Sequence, residues 1–281
     1  MKIKRERENI QSELGSSSPS VKITQGKWLV RVGITVGVIS LIIISLRSLN
    51  NNQGYQGPSS IPIQSENIKQ EERQEFERCL KAAESGDADA QNKLGLMYYH
   101  GEGVTQDYTQ AVLLFRKAAE QGYAKAQYNL GNMYYAGVGV QKDHTQAVLW
   151  FRKAAEQGTD RAQKSLGGMY YYGEGVTQDH TQAVLWYRKA AEQGYADAQY
   201  DLGYFYQEGL GVTQDYTQAV LWYRKAAEQE HAEAQFNLGT MYYHGESVQK
   251  DHTQAVAWIR KAARQGLKEA QQALKDLGES P

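Results

Sequence analysis

Few groups in the chain have types and spacings that chemistry could use. Ser247-Val248-Gln249-Lys250 has the S-x-x-K spacing with which penicillin-interacting enzymes set a lysine near a nucleophilic serine, which would mean hydrolysis of cell-wall or β-lactam amides. The other motifs of that class are absent. His144, His180, His244 and His252 are candidate metal ligands, but they lack a cysteine or a convergent third ligand. Paired glycines such as Gly101 and Gly103 suggest a phosphate loop in composition only, because no strand pattern precedes them. Cys79 is the only cysteine, so no intrachain disulfide can form. No cofactor, metal or small-molecule substrate is expected.

Nearly all of these groups recur at one interval. Blocks of 36 residues begin at Ala88, Ala124, Asp160, Ala196 and Ala232, without insertion or deletion, occupying 88–123, 124–159, 160–195, 196–231 and 232–267. A period of this size marks an array in which one unit cannot bury its apolar face alone and stacking supplies the core. Ser247 occupies the place of Gly103 in the loop of the first copy, which makes the S-x-x-K match a coincidence. His144, His180 and His252 share a place with Tyr108 and Tyr216, which argues for an aromatic spacer.

Each block reads A-x-A-Q-x-x-L-G-x-M-Y-Y-x-G-x-G-V-x-x-D-x-T-Q-A-V-L-W-x-R-K-A-A-E-Q-G-x with few exceptions. On L-G-x-M-Y, the G-x-G-V loop and W-x-R-K-A-A-E-x-G, the chain resembles the Sel-one-like repeat family, 36-residue relatives of tetratricopeptide repeats, over about two-thirds of its length. The resemblance implies an all-α fold, a right-handed α-solenoid of helix-turn-helix repeats, and an adaptor that holds an unidentified protein or peptide. Some exported members are cysteine-rich with a bridge in each repeat, and this chain departs from that pattern.

Within a block, Ala88–Tyr99 and Tyr108–Gln121 read as helices A and B. Asp107 and Gln110 form a capping-box pattern repeated at Asp143, Asp179, Asp215 and Asp251. Val104 and its equivalents should plug the loop end of the pair. Gly95, Gly131, Gly167, Gly203 and Gly239 interrupt helix A at a cost of about 1 kcal/mol each relative to alanine, implying close approach of helix B at its small Ala118-Ala119 pair. Trp150, Trp186, Trp222 and Trp258, with Leu114, should fill the space between repeats, and Cys79, aligned with Phe115 and Tyr187, should be a small buried hydrophobe. Residues 71–87 and 268–281 read as degraded half-repeats that cap the array.

Trp28–Leu46 is apolar except for Arg31, Thr35, Ser40 and Ser45, and as a helix it would span about 28 Å, close to the thickness of a bilayer core. It predicts a single transmembrane signal-anchor helix over 28–48. Lys22, Lys27 and Arg31 on its amino side put the basic tail, 1–27, in the cytoplasm and the repeats outside it. Residues 49–70, rich in Asn, Gln, Gly, Ser and Pro, predict a disordered linker with a reach of roughly 25 Å. The first 48 residues carry a net charge of +5, leaving the remainder mildly acidic and a poor match for nucleic acid.

Comparing the five copies separates scaffold from surface. The places that vary in helix A fall within about a 100° arc, opposite Ala90, Gln91, Leu94 and Tyr98. The stripe reads Asn92, Lys93, Leu96 and His100; Tyr128, Asn129, Asn132 and Ala136; Lys164, Ser165, Gly168 and Tyr172; Tyr200, Asp201, Tyr204 and Glu208; and Phe236, Asn237, Thr240 and His244. Helix A lines the concave groove in tetratricopeptide-like solenoids, so the resemblance implies a partner-binding surface for a protein or peptide. A glycan-binding groove and a solvated face free to drift are equally compatible with these residues.

Overall fold

The computed structural model describes residues 61–280. Among them are twelve α-helices. α1 (Ile61–Glu84) precedes five pairs: α2 (Ala88–His100) with α3 (Tyr108–Glu120), α4 (Ala124–Ala136) with α5 (His144–Glu156), α6 (Asp160–Tyr172) with α7 (His180–Glu192), α8 (Ala196–Glu208) with α9 (Tyr216–Glu228), and α10 (Ala232–His244) with α11 (His252–Arg264). α12 (Lys268–Asp276) closes the array. Each helix packs on the one before it and the one after it in the chain, which makes an all-helical solenoid of helix pairs.

The sequence-predicted transmembrane segment, 28–48, and basic tail, 1–27, lie outside the described residues. Among the described residues no helix is long and apolar enough to cross a membrane. The boundary drawn at residue 70 falls inside α1: residues 61–70 are helical, not linker. Pro62 sits in the first turn, where proline is tolerated, and the Gln, Glu and Lys that follow are good helix formers.

Each helix B starts at an aspartate whose carboxylate accepts a 3.0 Å hydrogen bond from the amide three residues on, Asp107 from Gln110 through Asp251 from Gln254. The Gln110 side chain is exposed, so the aspartate alone forms the cap. In the loop before it, Gly139 has φ 66°, and a Cβ there would sit 2.3 Å from the Tyr108 carbonyl oxygen. The G-x-G loop is therefore a docking point on the preceding helix B. Its valines are half-buried, four of them packed against the core clusters.

The glycine inside helix A has a different partner from the one expected. A Cβ at Gly131 would lie 2.6 Å from the Phe151 ring, and Phe115, Tyr187, Tyr223 and Ile259 stand over the other four glycines. A large side chain of helix B crosses the glycine, while the Ala118-Ala119 pair faces the next helix A. Trp150 and Trp222 are buried in the clusters between repeats, Trp186 and Trp258 pack against their edges, and a lysine three residues on covers each ring at 4.0–4.3 Å. Cys79 is buried as expected, with its thiol pKa pushed up by burial and by Glu75.

The most repeated polar contact is made by glutamine. Gln91, Gln127, Gln163, Gln199 and Gln235 are only 3–5% exposed. Each donates its side-chain amide to the carbonyl of an alanine near the end of the preceding helix, from Ala83 to Ala227, at 3.0–3.2 Å. Each also accepts at 2.7–2.9 Å from a second glutamine at the end of its own helix B: Gln121, Gln157, Gln193, Gln229 or Gln265. A parallel set joins each repeat to the next, with Arg116, Arg152, Arg188 and Arg224 donating to the hydroxyls of Tyr134, Tyr170, Tyr206 and Tyr242 at 2.6–2.9 Å.

Replacing Gln163 by leucine removes two buried side-chain hydrogen bonds, leaving the Ala155 carbonyl only its backbone donors such as the Gly158 amide and the Gln193 amide only a 3.5 Å contact to the Lys189 carbonyl. Chemical denaturation is expected to show a loss of about 2–3 kcal/mol, against a change within about 0.5 kcal/mol for the exposed control Gln110→Leu.

Candidate partner-binding face

The variable stripe of helix A is a continuous face, but only part of it meets solvent. Lys93, Ala136, Tyr172, Glu208 and His244 are exposed; Asn92 is buried, and the remaining stripe residues are half-buried. The cause is a set of contacts from one helix A to the next. The Asn129 amide donates to the Asn92 side-chain oxygen at 2.8 Å, the Lys164 ammonium lies 3.9 Å from the Asp201 carboxylate, and the Asn237 side chain lies near enough to the Tyr200 hydroxyl to lower its pKa. In each case the fifth residue of one helix A meets the sixth residue of the next.

Six residues expected to face a partner therefore also join neighbouring repeats. Others pack locally. Tyr128 lies against Phe151 with ring centroids 5.9 Å apart, Leu96 and Phe236 lie against core clusters, and the Thr240 hydroxyl donates to the Phe236 carbonyl at 3.0 Å. His100, Tyr172 and His244 stand edge-on to Tyr99, Tyr171 and Tyr243 at 4.6–5.1 Å, and Tyr204 meets Phe205 edge-on. Asn132, Ser165 and Gly168 complete the half-buried floor.

The face is electrically uneven. Its second and third copies carry Lys125, Arg161 and Lys164 against Asp160, whereas the fourth and fifth carry Asp197, Asp201, Glu208 and Glu233. Burial pushes the Asp201 carboxyl up to about 6 even though Lys164 acts in the opposite direction, and burial raises the Tyr200 hydroxyl to about 12. His231 stacks on Tyr200 at 4.8 Å, and burial lowers its pKa. Its Nδ1 accepts from the Ala234 amide at 3.3 Å, the role of a neutral imidazole.

Elsewhere the candidate groups have structural surroundings. Ser247 has φ 53°, the left-handed backbone that its glycine counterparts adopt, and the Lys250 ammonium lies 5.6 Å from the Tyr243 ring centroid. His144, His180 and His252 lie against Tyr135, Tyr171 and Tyr243 at 5.0–6.0 Å, as an aromatic spacer would. Among the described residues no three His, Cys, Asp or Glu side chains gather as metal ligands.

Five tandem helix pairs, a G-x-G docking loop and a buried glutamine in each helix A define a repeat scaffold. The Sel1 repeat matches residues 88–123, 124–159, 160–195, 196–231 and 232–267, and the chain belongs to that family. It is similar to a protective antigen of uropathogenic Escherichia coli strains with an SLR fold, at 40% identity and a TM-score of 0.63, the match covering 70% of this chain and 50% of that one. A Sel1 repeat protein from Oxalobacter formigenes is 34% identical with a TM-score of 0.64, the match covering 71% of this chain and 86% of that one. The chain thus spans half the length of the first relative and most of the second. Among curated proteins, none matches significantly.

The raised Asp201 carboxyl has a stability consequence. The folded state holds this proton more tightly than the unfolded chain, so its contribution is fully present below about pH 4 and is lost as pH rises through about 6. Asp201→Asn is expected to flatten that dependence in unfolding experiments between pH 4 and 7. It should stabilise the protein at pH 7 by an amount on the order of 1–3 kcal/mol, with Lys164 and Asp197 as the neighbouring charges that set the size.

Proposed function

We propose that the protein is a membrane-anchored scaffold without chemistry of its own, which binds a protein or peptide along the variable face of its helices A. The observation that carries this reading is the contrast between conserved repeat and variable stripe. Helix B, the loops and the glutamine contacts recur almost unchanged, while substitutions in helix A gather on one continuous half-exposed face. Half-buried tyrosines and asparagines there combine rigid aromatic area with adaptable hydrogen bonding, as peptide-binding surfaces do. Membership of the Sel1 repeat family supports a scaffold role.

The anchor rests on Trp28–Leu46, and the placement of the repeats outside the cytoplasm rests on Lys22, Lys27 and Arg31. A protease added outside the cytoplasmic membrane is expected to digest the repeats. Intact repeats alongside a digested outer control would reverse the orientation.

Partner capture is tested at residues whose side chains are exposed on the face. Lys93→Glu, Tyr172→Ala and Glu208→Lys combined should abolish capture by the full chain while leaving its melting temperature within about 2 °C, because all three side chains are exposed. Undiminished capture would move the binding surface off helix A.

A further inference from the structure

The two ends of the solenoid are complementary halves of one helix pair. α1 holds the place of a helix B: a Cβ on Gly103 of the first loop would stand 2.5 Å from the Glu72 carbonyl oxygen, as one on Gly139 would against Tyr108. α12 holds the place of a helix A: the Gln271 amide donates to the Ala263 carbonyl at 3.1 Å, as Gln163 does to Ala155. α1 packs on α2 and α12 on α11, and neither has the second helix of its own pair. The faces that those helices would cover are exposed at Glu75 and Lys275, whereas the equivalent alanines and glycines of the five complete pairs are buried. Leu277 is also half-buried, where Met133, Met169 and Met241 are 2–3% exposed.

At the crossing of each complete pair the small residue belongs to helix A and the large one to helix B. The atoms nearest a Cβ on Gly95, Gly131 or Gly203 are ring carbons of Phe115, Phe151 and Tyr223 at 2.6–2.8 Å, and beside Gly239 stands the Ala255 carbonyl at 3.0 Å. At the two ends the sizes are exchanged and each side gains a charge. Lys275 takes the glycine's place in α12, Cys79 the aromatic's place in α1, and Glu75 the alanine's. A lysine would collide with the ring of an internal pair, but cysteine has no ring, and the vacated space suits a lysine stem. Glu75 lies one turn away and accepts from the Cys79 thiol at 3.6 Å. It also pairs with Arg78 at 2.6 Å, an exposed contact that water screens. Charge alone would serve to cap an end. It does not require that the aromatic vanish from α1 where a lysine enters α12.

We propose that copies of this chain join end to end, α12 of one seating on α1 of the next as helix A on helix B, with Lys275 over Cys79 and its ammonium on the Glu75 carboxylate. The contact is heterologous, so each copy keeps one free end and the assembly extends by repeating the step of the solenoid. Ser85 stands where a complete pair has the glutamine that donates to helix A, and its hydroxyl donates instead to the Ala82 carbonyl at 2.7 Å. The glutamine bond is therefore not remade, which makes this joint weaker than an internal one and reversible. The proposal concerns the ends of the array and does not depend on what the helix A face binds.

The test uses the single native cysteine. In Lys275→Cys each full-length chain, in detergent, carries one thiol at either end, and the seat sets them face to face. At the same crossing a Cβ on Gly131 stands 3.2 Å from the Phe151 Cγ, the place of a cysteine sulfur and within reach of a disulfide. Mild oxidation is expected to give a ladder of linked dimers, trimers and longer species on non-reducing gels, with at least about fivefold less for Glu269→Cys, whose thiol lies on another side of α12. Sedimentation of the full chain supplies the charge test. Lys275→Glu or Glu75→Lys should each weaken association about tenfold, and the two together should restore it. Equal ladders from Lys275→Cys and Glu269→Cys, linkage that stops at a dimer, or a double variant that associates no better than the singles would overturn the proposal.

Discussion

The array depends on a buried amide that has partners on both sides. Each glutamine four residues into a helix A is removed from water, where an unpaired side-chain amide costs a few kcal/mol. It is satisfied only when the preceding helix presents an alanine carbonyl and its own helix B ends in another glutamine. Apolar packing between helices is tolerant of small sliding motions, but these hydrogen bonds are not. They fix the axial register of every helix against its neighbours, and that register determines where the G-x-G loop docks and where the arginine meets the next tyrosine hydroxyl.

Within this frame the third and fourth repeats are the least regular part of the polar face. Tyr187 and Tyr223 bring hydroxyls where the first two repeats have phenylalanine, and the Tyr223 hydroxyl donates to Gln207 at 2.8 Å, a residue that replaces tyrosine in the fourth copy. Phe205 stands where the other copies have methionine, and it meets Tyr171 and His180 edge-on and Tyr187 at a tilt. Changes inside the core and changes on the stripe coincide in the same pair of repeats. That is the region where Asp201 is held in a protonation range far from an ordinary carboxylate.

Much of the fold was legible because a 36-residue period makes every element appear five times. Helix boundaries, the aspartate caps, the tryptophans and Cys79 follow from patterns that local chemistry enforces. What was hidden lies between columns of the repeat. Aligning copies place by place compares Asn92 with Tyr128, whereas the structure bonds Asn92 to Asn129, one place further along. For the same reason the helix-interior glycines were assigned to the wrong neighbour: the crossing of Phe151 over Gly131 depends on the angle between helices, which no spacing records. The start of α1 was missed because composition rich in Gln, Asn and Ser reads as tether, while helix formation at residues 61–70 follows from Gln, Glu and Lys propensity.

The offset pairing along helix A also gives the repeats an order. The glutamine and arginine contacts are alike at every junction, so they would accept a duplicated or deleted unit without complaint. The stripe would not: removing the fourth copy would set Lys164 opposite Asn237 and strip it of Asp201, and removing the second would set Asn92 opposite Ser165. The backbone of this solenoid is thus written in interchangeable units, but its surface is a sequence of matched joints. A recombination event that leaves the fold intact would still be recorded as a mismatch on the helix A face.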